Sequence, residues 1–468
     1  MLTRVAAFTR ARASELPGMS SRLGREVGWV VVPFGLQQVL RLGTNIVLTR
    51  LLAPEIFGIM LLINSLRTGT ELLSDIGIGQ SVVRSPNGED RDFLDVAWTL
   101  QMLRGLLLTL FLLLAAVPIA ALYDRPDLAP LILAISPVFL ITGLQSAGLF
   151  TAQRHMQLQR RAVYEVANTV LASAIGIGMA LVITSVWALI IALVLSTVAT
   201  TLLSFLVFER RLPRFRWEGA HVREIISFGK WIFLSTAVYF AATSYDRFYF
   251  VAAVPIAMAG IYGVARTFSD MLAALAQRAG ALLVFPRAAA MQDRREELAP
   301  RLRHTRRKTL ALVALALGVA VAGSDQFILL AYDERYHAAA FMIPVLVVGV
   351  WFGILSTFAD SMLMGAGRPA PGAWANFAKF GVMLAGLPIA LARGSLLDAL
   401  LVLVAAEIAR WLALLPPSRR ERFAGLTDDI ALTALMAAAA LTTKWLLGAM
   451  GLVPTLGEWW AMRGLLHV

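Results

Sequence analysis

The sequence predicts an all-α integral membrane protein, and three observations support this fold class. Of the 468 residues, 58% are hydrophobic and 15% are charged, a composition outside the range of soluble globular domains. Apolar runs of about 20 residues recur from Gly28 onward, and each is long enough to cross a bilayer as a helix. Basic residues concentrate in alternate connections between these runs, which is the pattern of membrane topology.

The same composition argues against several other classes of protein. The formal net charge is +12, but the basic residues lie in short segments between apolar runs, so we expect no nucleic-acid partner. The chain has no cysteine, which removes disulfides, thiol nucleophiles and thiolate metal sites. We also find no phosphate-binding loop of the G-x-x-x-x-G-K type. We therefore expect no cofactor. We also expect no metal site, because all five histidines lie in predicted loops or at the terminus, namely His155, His221, His304, His337 and His467.

Hydropathy, turn residues and charges together predict about twelve spans in two sets of six. The first set comprises 28–50, 55–78, 93–117, 128–150, 163–184 and 186–208. The second set comprises 224–251, 256–285, 309–331, 338–364, 372–391 and 396–415. A thirteenth span at 430–450 is plausible, although it contains Lys444.

These spans divide the chain into five segments. Residues 1–27 form a basic arm, because no apolar stretch there reaches the length of a signal-peptide core. Residues 28–208 form an N-terminal six-helix lobe, and residues 209–223 form a cytoplasmic linker. Residues 224–415 form a C-terminal six-helix lobe, and 416–468 form an extension that holds the possible extra span.

The distribution of Lys and Arg predicts the orientation, because cytoplasmic connections retain positive charge. One side carries the N-terminal arm and most basic residues: Arg84, Arg91, Arg154, Arg160, Arg161, Arg210, Arg211, Arg214, Arg216, Arg223, Arg287, Arg294 through Lys308, Arg368, Arg419, Arg420 and Arg422. The other side carries little beyond Arg125, Arg335, Arg393 and Arg463. We therefore expect a cytoplasmic N-terminus and an even number of spans up to Arg422.

The two halves resemble each other at an offset of about 200 residues. Arg25-Glu26 precedes the first span as Arg223-Glu224 precedes the seventh, and a Tyr-Asp pair at 123–124 precedes the fourth as one at 332–333 precedes the tenth. Six spans per half is an even number, so the two copies share one orientation. Such parallel repeats are related by an axis along the membrane normal, and transporters bind substrates at repeat interfaces.

Polar residues inside the spans follow one face of four helices, two from each half. The stripes of spans one and two contain Gln37, Gln38, Arg41, Asn45 and Thr49, then Asn64, Arg67, Thr68, Glu71 and Asp75. Those of spans seven and eight contain Ser235, Tyr239, Thr243 and Asp246, then Tyr262, Arg266, Ser269, Asp270 and Gln277, with Arg278 beside them. Because charges in a bilayer are costly unless they face protein or water, we expect the stripes to line one polar cavity.

Two interpretations of these charges stay open. Arg67 with Glu71, and Arg266 with Asp270, have the i to i+4 spacing of ion pairs that merely fix packing. Arg41 has no acidic residue at helical spacing, however, and a guanidinium suits bidentate contact with phosphate oxygens. The candidate binding residues for a pyrophosphate head group and its surroundings are Arg41, Asn45, Arg67, Glu71, Asp75, Asp246, Arg266, Asp270, Gln277 and Arg278.

Three short motifs resemble a known family. Residues 49–58 read TRLLAPEIFG, residues 73–78 read LSDIGI and residues 365–369 read GAGRP. As a set they resemble the polysaccharide-biosynthesis flippases, the O-antigen and exopolysaccharide exporters of the multidrug/oligosaccharidyl-lipid/polysaccharide exporter superfamily. The resemblance covers roughly residues 25–415.

This resemblance implies a V-shaped bundle of two six-helix lobes in a bacterial inner membrane, with spans one, two, seven and eight around the cavity. It implies transport of an undecaprenyl-pyrophosphate-linked oligosaccharide to the outer face by alternating access. The implied partners are that lipid-linked substrate, membrane lipids, and polysaccharide polymerase and export proteins.

Two alternative functions also stay open. A polytopic glycosyltransferase or ligase would handle the same lipids, but the predicted outer connections are short, the longest being 324–337, so we expect no enzyme. A cation-coupled drug exporter of the same superfamily is the other alternative, because Glu71, Asp75, Asp246 and Asp270 are candidate sites for protons or sodium.

Overall fold

The computed structural model describes residues 19–208, 213–279, 295–365, 368, 370–423 and 425–466. Within these ranges the regular structure is entirely helical, and the predicted all-α fold class is confirmed. Side chains of 19–31, 228–235, 276–279, 295–299, 301 and 365 fall outside the described part. Of the predicted basic arm at 1–27, residues 1–18 therefore lie outside the described part, and 19–27 belong to the first helix.

The first repeat contains nine helices. They are α1 (Met19–Leu51), α2 (Pro54–Leu72), α3 (Ile78–Arg84), α4 (Arg91–Leu122), α5 (Leu128–Ile135), α6 (Pro137–Gly143), α7 (Gly148–Arg154), α8 (Leu158–Val182) and α9 (Val186–Phe208). The described part of the second repeat and its extension contains α10 (Gly219–Ala253), α11 (Ile256–Ala279), α12 (Arg295–Ala331), α13 (Ala338–Gly365), α14 (Ala370–Ala392), α15 (Leu396–Arg420), α16 (Leu426–Ala449) and α17 (Leu456–Ala461). Short 3₁₀ turns follow α12 and α17, at Glu334–Tyr336 and Met462–Leu466.

Local sequence explains where several helices begin. Pro54 occupies the first turn of α2, where its missing N–H costs nothing. The Ser395 hydroxyl accepts from the Asp398 backbone N–H at 3.1 Å and caps α15. Thr455 and Glu458 form a capping box at the start of α17.

Eight helices in the described part are long and apolar enough to cross a membrane, and a ninth span results if the bent pair Leu128–Gly143 and Gly148–Arg154 counts as one. The chain is a multi-pass membrane protein. The helices below this threshold include α1, α2, α10 and α11, which are the predicted polar spans one, two, seven and eight. Their intramembrane charges lower their hydropathy, so the predicted number of twelve or thirteen spans stays a prediction.

Two predicted spans differ from the structure. The second, at 55–78, ends early because α2 stops at Leu72 and Gly77 turns the chain with a φ of 65°. The fourth, at 128–150, is divided into α5, α6 and α7. Pro137 begins α6 immediately after Ser136, and the bend before α7 is 56°. Hydropathy alone does not record either break.

Equivalent helices of the two repeats make equivalent contacts. α1 packs on α8 as α10 packs on α14, and α8 packs on α9 as α14 packs on α15. α4 packs on α5 and α6, as α12 packs on α13. The predicted parallel repeat is therefore visible in the helix packing, whereas the predicted division of the chain at 209–223 stays a prediction.

The two repeats meet closely at one end of the bundle, which we call the Pro54 end; it holds the α1–α2, α10–α11 and α12–α13 connections. A Cβ atom at Gly58 would lie 2.1 Å from the Ile256 carbonyl oxygen, and one at Gly260 would lie 1.9 Å from the Pro54 carbonyl oxygen. α2 and α11 therefore cross backbone to backbone.

Hydrogen bonds between the repeats reinforce the Pro54 end. The Arg50 guanidinium donates twice to the Ala331 carbonyl, at 3.2 and 3.0 Å. The Tyr336 hydroxyl donates to the Leu52 carbonyl at 3.0 Å, and the Phe57 and Tyr336 rings meet edge to face. This end of the molecule is closed.

Ion pairs hold α16, the possible thirteenth span, against α12. Lys444 pairs with Asp325, and Arg306 pairs with Asp429 at 2.7 Å. The Trp411 indole N–H also donates to Asp429, at 2.9 Å. The charge of Lys444 is therefore compensated inside the protein, and α16 is long and apolar enough to span.

Candidate functional site

A polar cavity lies between the two repeats, and we call it the central cavity. Its volume is about 370 Å³ and residues of α1, α2, α8, α9, α10 and α11 line it. Its polar lining consists of Thr44, Asn45, Asn64, Ser65, Ser196, Arg247, Arg266, Thr267 and Asp270. Each repeat thus contributes one side of the space.

A second cavity of about 310 Å³ extends from this one into the second repeat, and we call it the C-lobe cavity. Arg247, Arg266 and Asp270 line both cavities, so these three residues mark the junction. Farther inside, the lining includes Lys379 and Glu407.

An ion-pair network is centred on Arg266 at this junction. Its Nε lies 3.4 Å from an Asp246 oxygen and 3.4 Å from an Asp270 oxygen. Arg247 reaches Asp270 at 2.5 Å, and the Tyr262 hydroxyl donates to Asp246. Asp246 is 1% exposed whereas Asp270 is 43% exposed. Asp246 is therefore a fixed counter-ion, and Asp270 is the accessible acceptor that a ligand could displace.

The charges of the C-lobe cavity are also compensated. Lys379 pairs with Glu407 at 2.5 Å, and the Arg410 and Asp360 side chains approach to 3.9 Å. Four cations thus face four carboxylates around the junction and the C-lobe cavity, namely Arg247, Arg266, Lys379 and Arg410 against Asp246, Asp270, Asp360 and Glu407. Three carboxylate oxygens of this group are buried without a hydrogen bond to any described residue, namely Oδ1 of Asp246, Oδ1 of Asp360 and Oε2 of Glu407.

The structure brings several of the predicted residues to the central cavity. Asn45, Arg266 and Asp270 line it, and Asp246 lies directly behind Arg266. Arg41 lies one turn before Asn45 on the same face of α1. Its side chain is exposed and has no hydrogen bond or ion pair within the described part of the chain.

The predicted stripe on α2 does not face one cavity. Glu71 and Asp75 line a separate space of about 390 Å³ inside the first repeat, which we call the N-lobe cavity. Arg67 pairs with Glu71 at 3.5 Å, the i to i+4 arrangement that the packing interpretation requires. The expectation of a single shared cavity is therefore wrong for this stripe, because Asn64 lines the central cavity whereas Glu71, in the last turn of α2, and Asp75, beyond its end, line the N-lobe cavity.

The remaining predicted side chains lie outside the described part, and several residues of the site were not predicted. The side chains of Gln277 and Arg278 lie outside the described part of the chain. The prediction missed Arg247, Lys379, Glu407 and Arg410 in the site, together with Arg104 in the N-lobe cavity. Each is an ionisable residue within a predicted span, and that signal alone could have identified it. Arg247 lies beside the stripe of span seven, and the other four lie on helices without a predicted stripe.

The comparisons with known proteins agree with this architecture. Residues 47–340 match the model of a family described as "Polysaccharide biosynthesis protein". The teichuronic acid biosynthesis protein TuaB of Bacillus subtilis (strain 168) is 23% identical over 305 residues, which cover 64% of this chain. The chain spans 62% of the length of that relative.

Solved structures share the fold at low sequence identity. The lipid II flippase MurJ in an inward closed conformation superposes with a TM-score of 0.73 at 11% identity, over 93% of this chain and 95% of its own. An inward-facing multidrug resistance MATE family transporter of the MOP superfamily superposes with a TM-score of 0.65 at 16% identity, over 88% of this chain and 98% of its own. The chain therefore shares the two-lobe helical fold of these structures.

Proposed function

The chain belongs to the polysaccharide biosynthesis protein family, and on this basis we propose that it is a flippase for a lipid-linked oligosaccharide. The cargo is an oligosaccharide on undecaprenyl pyrophosphate, and it moves from the cytoplasmic to the outer leaflet of a bacterial inner membrane. The similarity to solved transporters supports flippase-type transport, and the chemistry of the central cavity supports the cargo.

The junction of the two cavities carries this proposal. Arg247 and Arg266 stand on neighbouring helices, and the accessible carboxylate of Asp270 bridges them. A pyrophosphate presents the same type of acceptor in bidentate geometry, with more charge. It would replace Asp270 as the partner of Arg247, while buried Asp246 continues to hold Arg266 in place.

The closed Pro54 end supports an alternating-access mechanism. The backbone crossing at Gly58 and Gly260 blocks passage there, so the head group enters from the opposite end and leaves only after this crossing opens. With the N-terminus in the cytoplasm, as the loop charges indicate, the Pro54 end faces outward. The closed state is then the one that receives cargo from the cytoplasmic leaflet.

This function requires no chemistry from the chain. The described connections at the Pro54 end are short, and the longest of them is built around the 3₁₀ turn Glu334–Tyr336. Glycan assembly therefore belongs to partners, with glycosyltransferases on the cytoplasmic side and polymerase and export proteins on the outer side. Membrane lipids complete the set of partners.

Charge compensation favours this function over cation-coupled drug export. A site for a cationic drug needs accessible carboxylates without counter-ions. In the central and C-lobe cavities Asp246 and Asp270 both pair with Arg266, and Glu407 pairs with Lys379. An anion that displaces Asp270 gains contact with Arg247 and Arg266, whereas a cation would have to compete with these two guanidinium groups for the same carboxylate.

A transport assay with an arginine variant tests the proposal. Deletion of the gene should cause a lipid-linked oligosaccharide to accumulate in the cytoplasmic leaflet. Arg247→Ala should restore transport at least about tenfold less well than the wild type, since a charged hydrogen bond contributes about 1.5–3 kcal/mol. Arg247→Lys should restore part of it, because an ammonium group keeps the charge without the fork.

The matched control is Arg335→Ala, which removes an exposed arginine that pairs with Asp333 at the Pro54 end. It should transport normally. Absence of any accumulated lipid-linked oligosaccharide in the deletion strain would overturn the function. Normal transport by Arg247→Ala would overturn the assignment of the head-group site.

A further inference from the structure

The N-lobe cavity is chemically unlike the central cavity. It lies inside the first repeat, among α2, α3, α4, α6 and α7, and is of similar size to the central cavity. Four glutamines line it, namely Gln80, Gln101, Gln145 and Gln153. Gln80 and Gln153 are exposed, whereas Gln101 and Gln145 are half-buried. The amide groups thus extend from the mouth of the cavity into its interior.

Gln101 presents an acceptor without a donor in this cavity. Its amide nitrogen donates to the carbonyl oxygens of Thr142, Gly143 and Gln145, at 3.2, 3.1 and 3.3 Å. Three carbonyl acceptors fix which end of the amide is the nitrogen. The other end, Oε1, is buried and has no hydrogen bond to any described residue. Because a buried acceptor without a donor is costly, a ligand hydroxyl or amide N–H is the natural partner.

Arg104 is the cation in the lining of this cavity, but its guanidinium is already hydrogen-bonded to residues at the end of α2. Its Nε and Nη2 donate to the Ser74 hydroxyl at 3.1 and 2.9 Å, and Nη2 also donates to the Glu71 carbonyl. The lining further contains the carboxylates of Glu71 and Asp75. Two carboxylates and one committed arginine disfavour a phosphate, whereas carboxylates and amides together suit a neutral ligand rich in hydroxyl groups.

The remaining lining is apolar and rigid. Phe139, Phe150 and Leu108 contribute hydrophobic surface, of the kind against which the C–H face of a sugar ring packs. α4 and α6 cross at Gly105 and Gly143, where a Cβ atom would lie 2.5 Å from the Phe139 carbonyl oxygen or 2.8 Å from that of Gln101. The backbone crossing therefore holds the cavity walls in place.

The N-lobe cavity also adjoins the transport path. Leu72 lines both this cavity and the C-lobe cavity, so the two spaces lie on either side of one residue. We propose that the N-lobe cavity binds sugar residues of the transported lipid, while the pyrophosphate occupies the central cavity. This inference rests on the proposed function and adds to it a glycan-binding site within the first repeat.

Binding to the purified protein in nanodiscs tests the proposal with two probes. One is undecaprenyl pyrophosphate without sugar, and the other is the lipid-linked oligosaccharide purified from cells that lack the gene. Wild-type protein should bind the second more tightly by about tenfold, the effect of one or two satisfied hydrogen bonds. Gln101→Leu should abolish most of this preference and leave the affinity for undecaprenyl pyrophosphate unchanged.

A second variant guards against structural damage, because the Gln101 amide also braces α6. Gln153→Ala removes an exposed amide at the mouth of the cavity and should lower the preference about threefold. Its matched control is Gln157→Ala, four residues farther along the chain, between α7 and α8. Gln157 accepts from Arg160 at 3.4 Å and lies outside the lining, so this control should bind both probes as the wild type does.

The outcomes separate this inference from the proposed function. The glycan site would be overturned if the wild type bound both probes equally, or if Gln153→Ala preferred the lipid-linked oligosaccharide as strongly as the wild type does. Neither result would contradict the proposed flippase function. Failure of the wild type to bind either probe would overturn the proposed function itself.

Discussion

Asp246 and Asp270 share the guanidinium of Arg266 but differ in their access to solvent. Asp246 is enclosed between α10 and α11 and also accepts the Tyr262 hydroxyl. Asp270 faces both cavities and also pairs with Arg247. The first arrangement fixes the position of a cation, and the second leaves a carboxylate that can move when an anion arrives.

This difference predicts unequal stability effects. Asp246→Ala should destabilise the protein by about 3–5 kcal/mol, because it removes a buried partner of Arg266. Asp270→Ala should cost about 1 kcal/mol or less, because that carboxylate is partly exposed. Thermal unfolding of both variants in detergent checks the prediction, and equal losses would contradict it.

Arg41 carries a second prediction at this scale. It lies one turn before Asn45, which lines the central cavity, and its side chain is exposed and has no partner within the described part of the chain. Arg41→Ala should therefore leave insertion and folding intact but reduce transport severely, because it removes a phosphate contact and little packing. Arg41→Lys should recover only part of the transport. Full transport by a well-expressed Arg41→Ala protein would show that the residue is not a head-group contact.

The sequence allowed only part of this site to be predicted. Asn45, Arg266 and Asp270 lie on stripes with helical spacing, and such stripes can be recognised in one segment at a time. Lys379 and Glu407 form their pair across α14 and α15, and no spacing within either helix indicates it. Contacts between helices decide which charges are compensated, and those contacts depend on the folded arrangement.

At the scale of single helices, α2 and α11 show how small residues decide a contact. Gly58 and Gly260 allow the two backbones to touch. At Gly263, one turn farther along α11, an added Cβ atom would lie 3.6 Å from the Leu61 side chain. The first two positions therefore exclude any side chain, and the third accepts one in ordinary contact.

We predict that Gly260→Ala prevents closure of the Pro54 end and abolishes transport, because the added methyl group would overlap the Pro54 carbonyl oxygen. A cysteine placed at Asn64, in the central cavity, should then react with an impermeant thiol reagent from the outer side. Gly263→Ala is the matched control, and its Pro54 end should close as in the wild type, because the added methyl group makes only ordinary contact with Leu61. Normal transport by Gly260→Ala would refute the closed end as a gate.

Element boundaries could be predicted where hydropathy and helical ends coincide. The predicted span 186–208 matches α9, and 338–364 nearly matches α13. The fourth span does not match, because the chain bends by 56° between Gly143 and Gly148, and Pro137 separately begins α6 directly after α5. An average of hydropathy over some 20 residues does not detect either feature, because the surrounding residues stay apolar.

At the scale of the whole molecule, the offset between the halves predicted the parallel repeat, and the equivalent helix pairs confirm it. Orientation in the membrane stays a prediction from loop charge. Because the chain lacks cysteine, single cysteines report on it without background labelling.

Phe215→Cys should label from the cytoplasmic side only, since position 215 lies in the basic connection between the repeats and its side chain is exposed. Arg335→Cys, at the Pro54 end, should label from the outer side only. Outside labelling at position 215 would reverse the topology and, with it, the direction of transport.

The reciprocal contact between Gly58 and Gly260 has a consequence for how such a transporter can diversify. Each glycine lies against a main-chain oxygen of the other repeat, so the barrier at this end consists of main-chain atoms and depends on glycine at two positions. Substitutions among the side chains around the cavities leave that barrier untouched. Point mutations in the cavities of such a chain can therefore change the cargo that it binds, while the backbone contact that closes this end is retained.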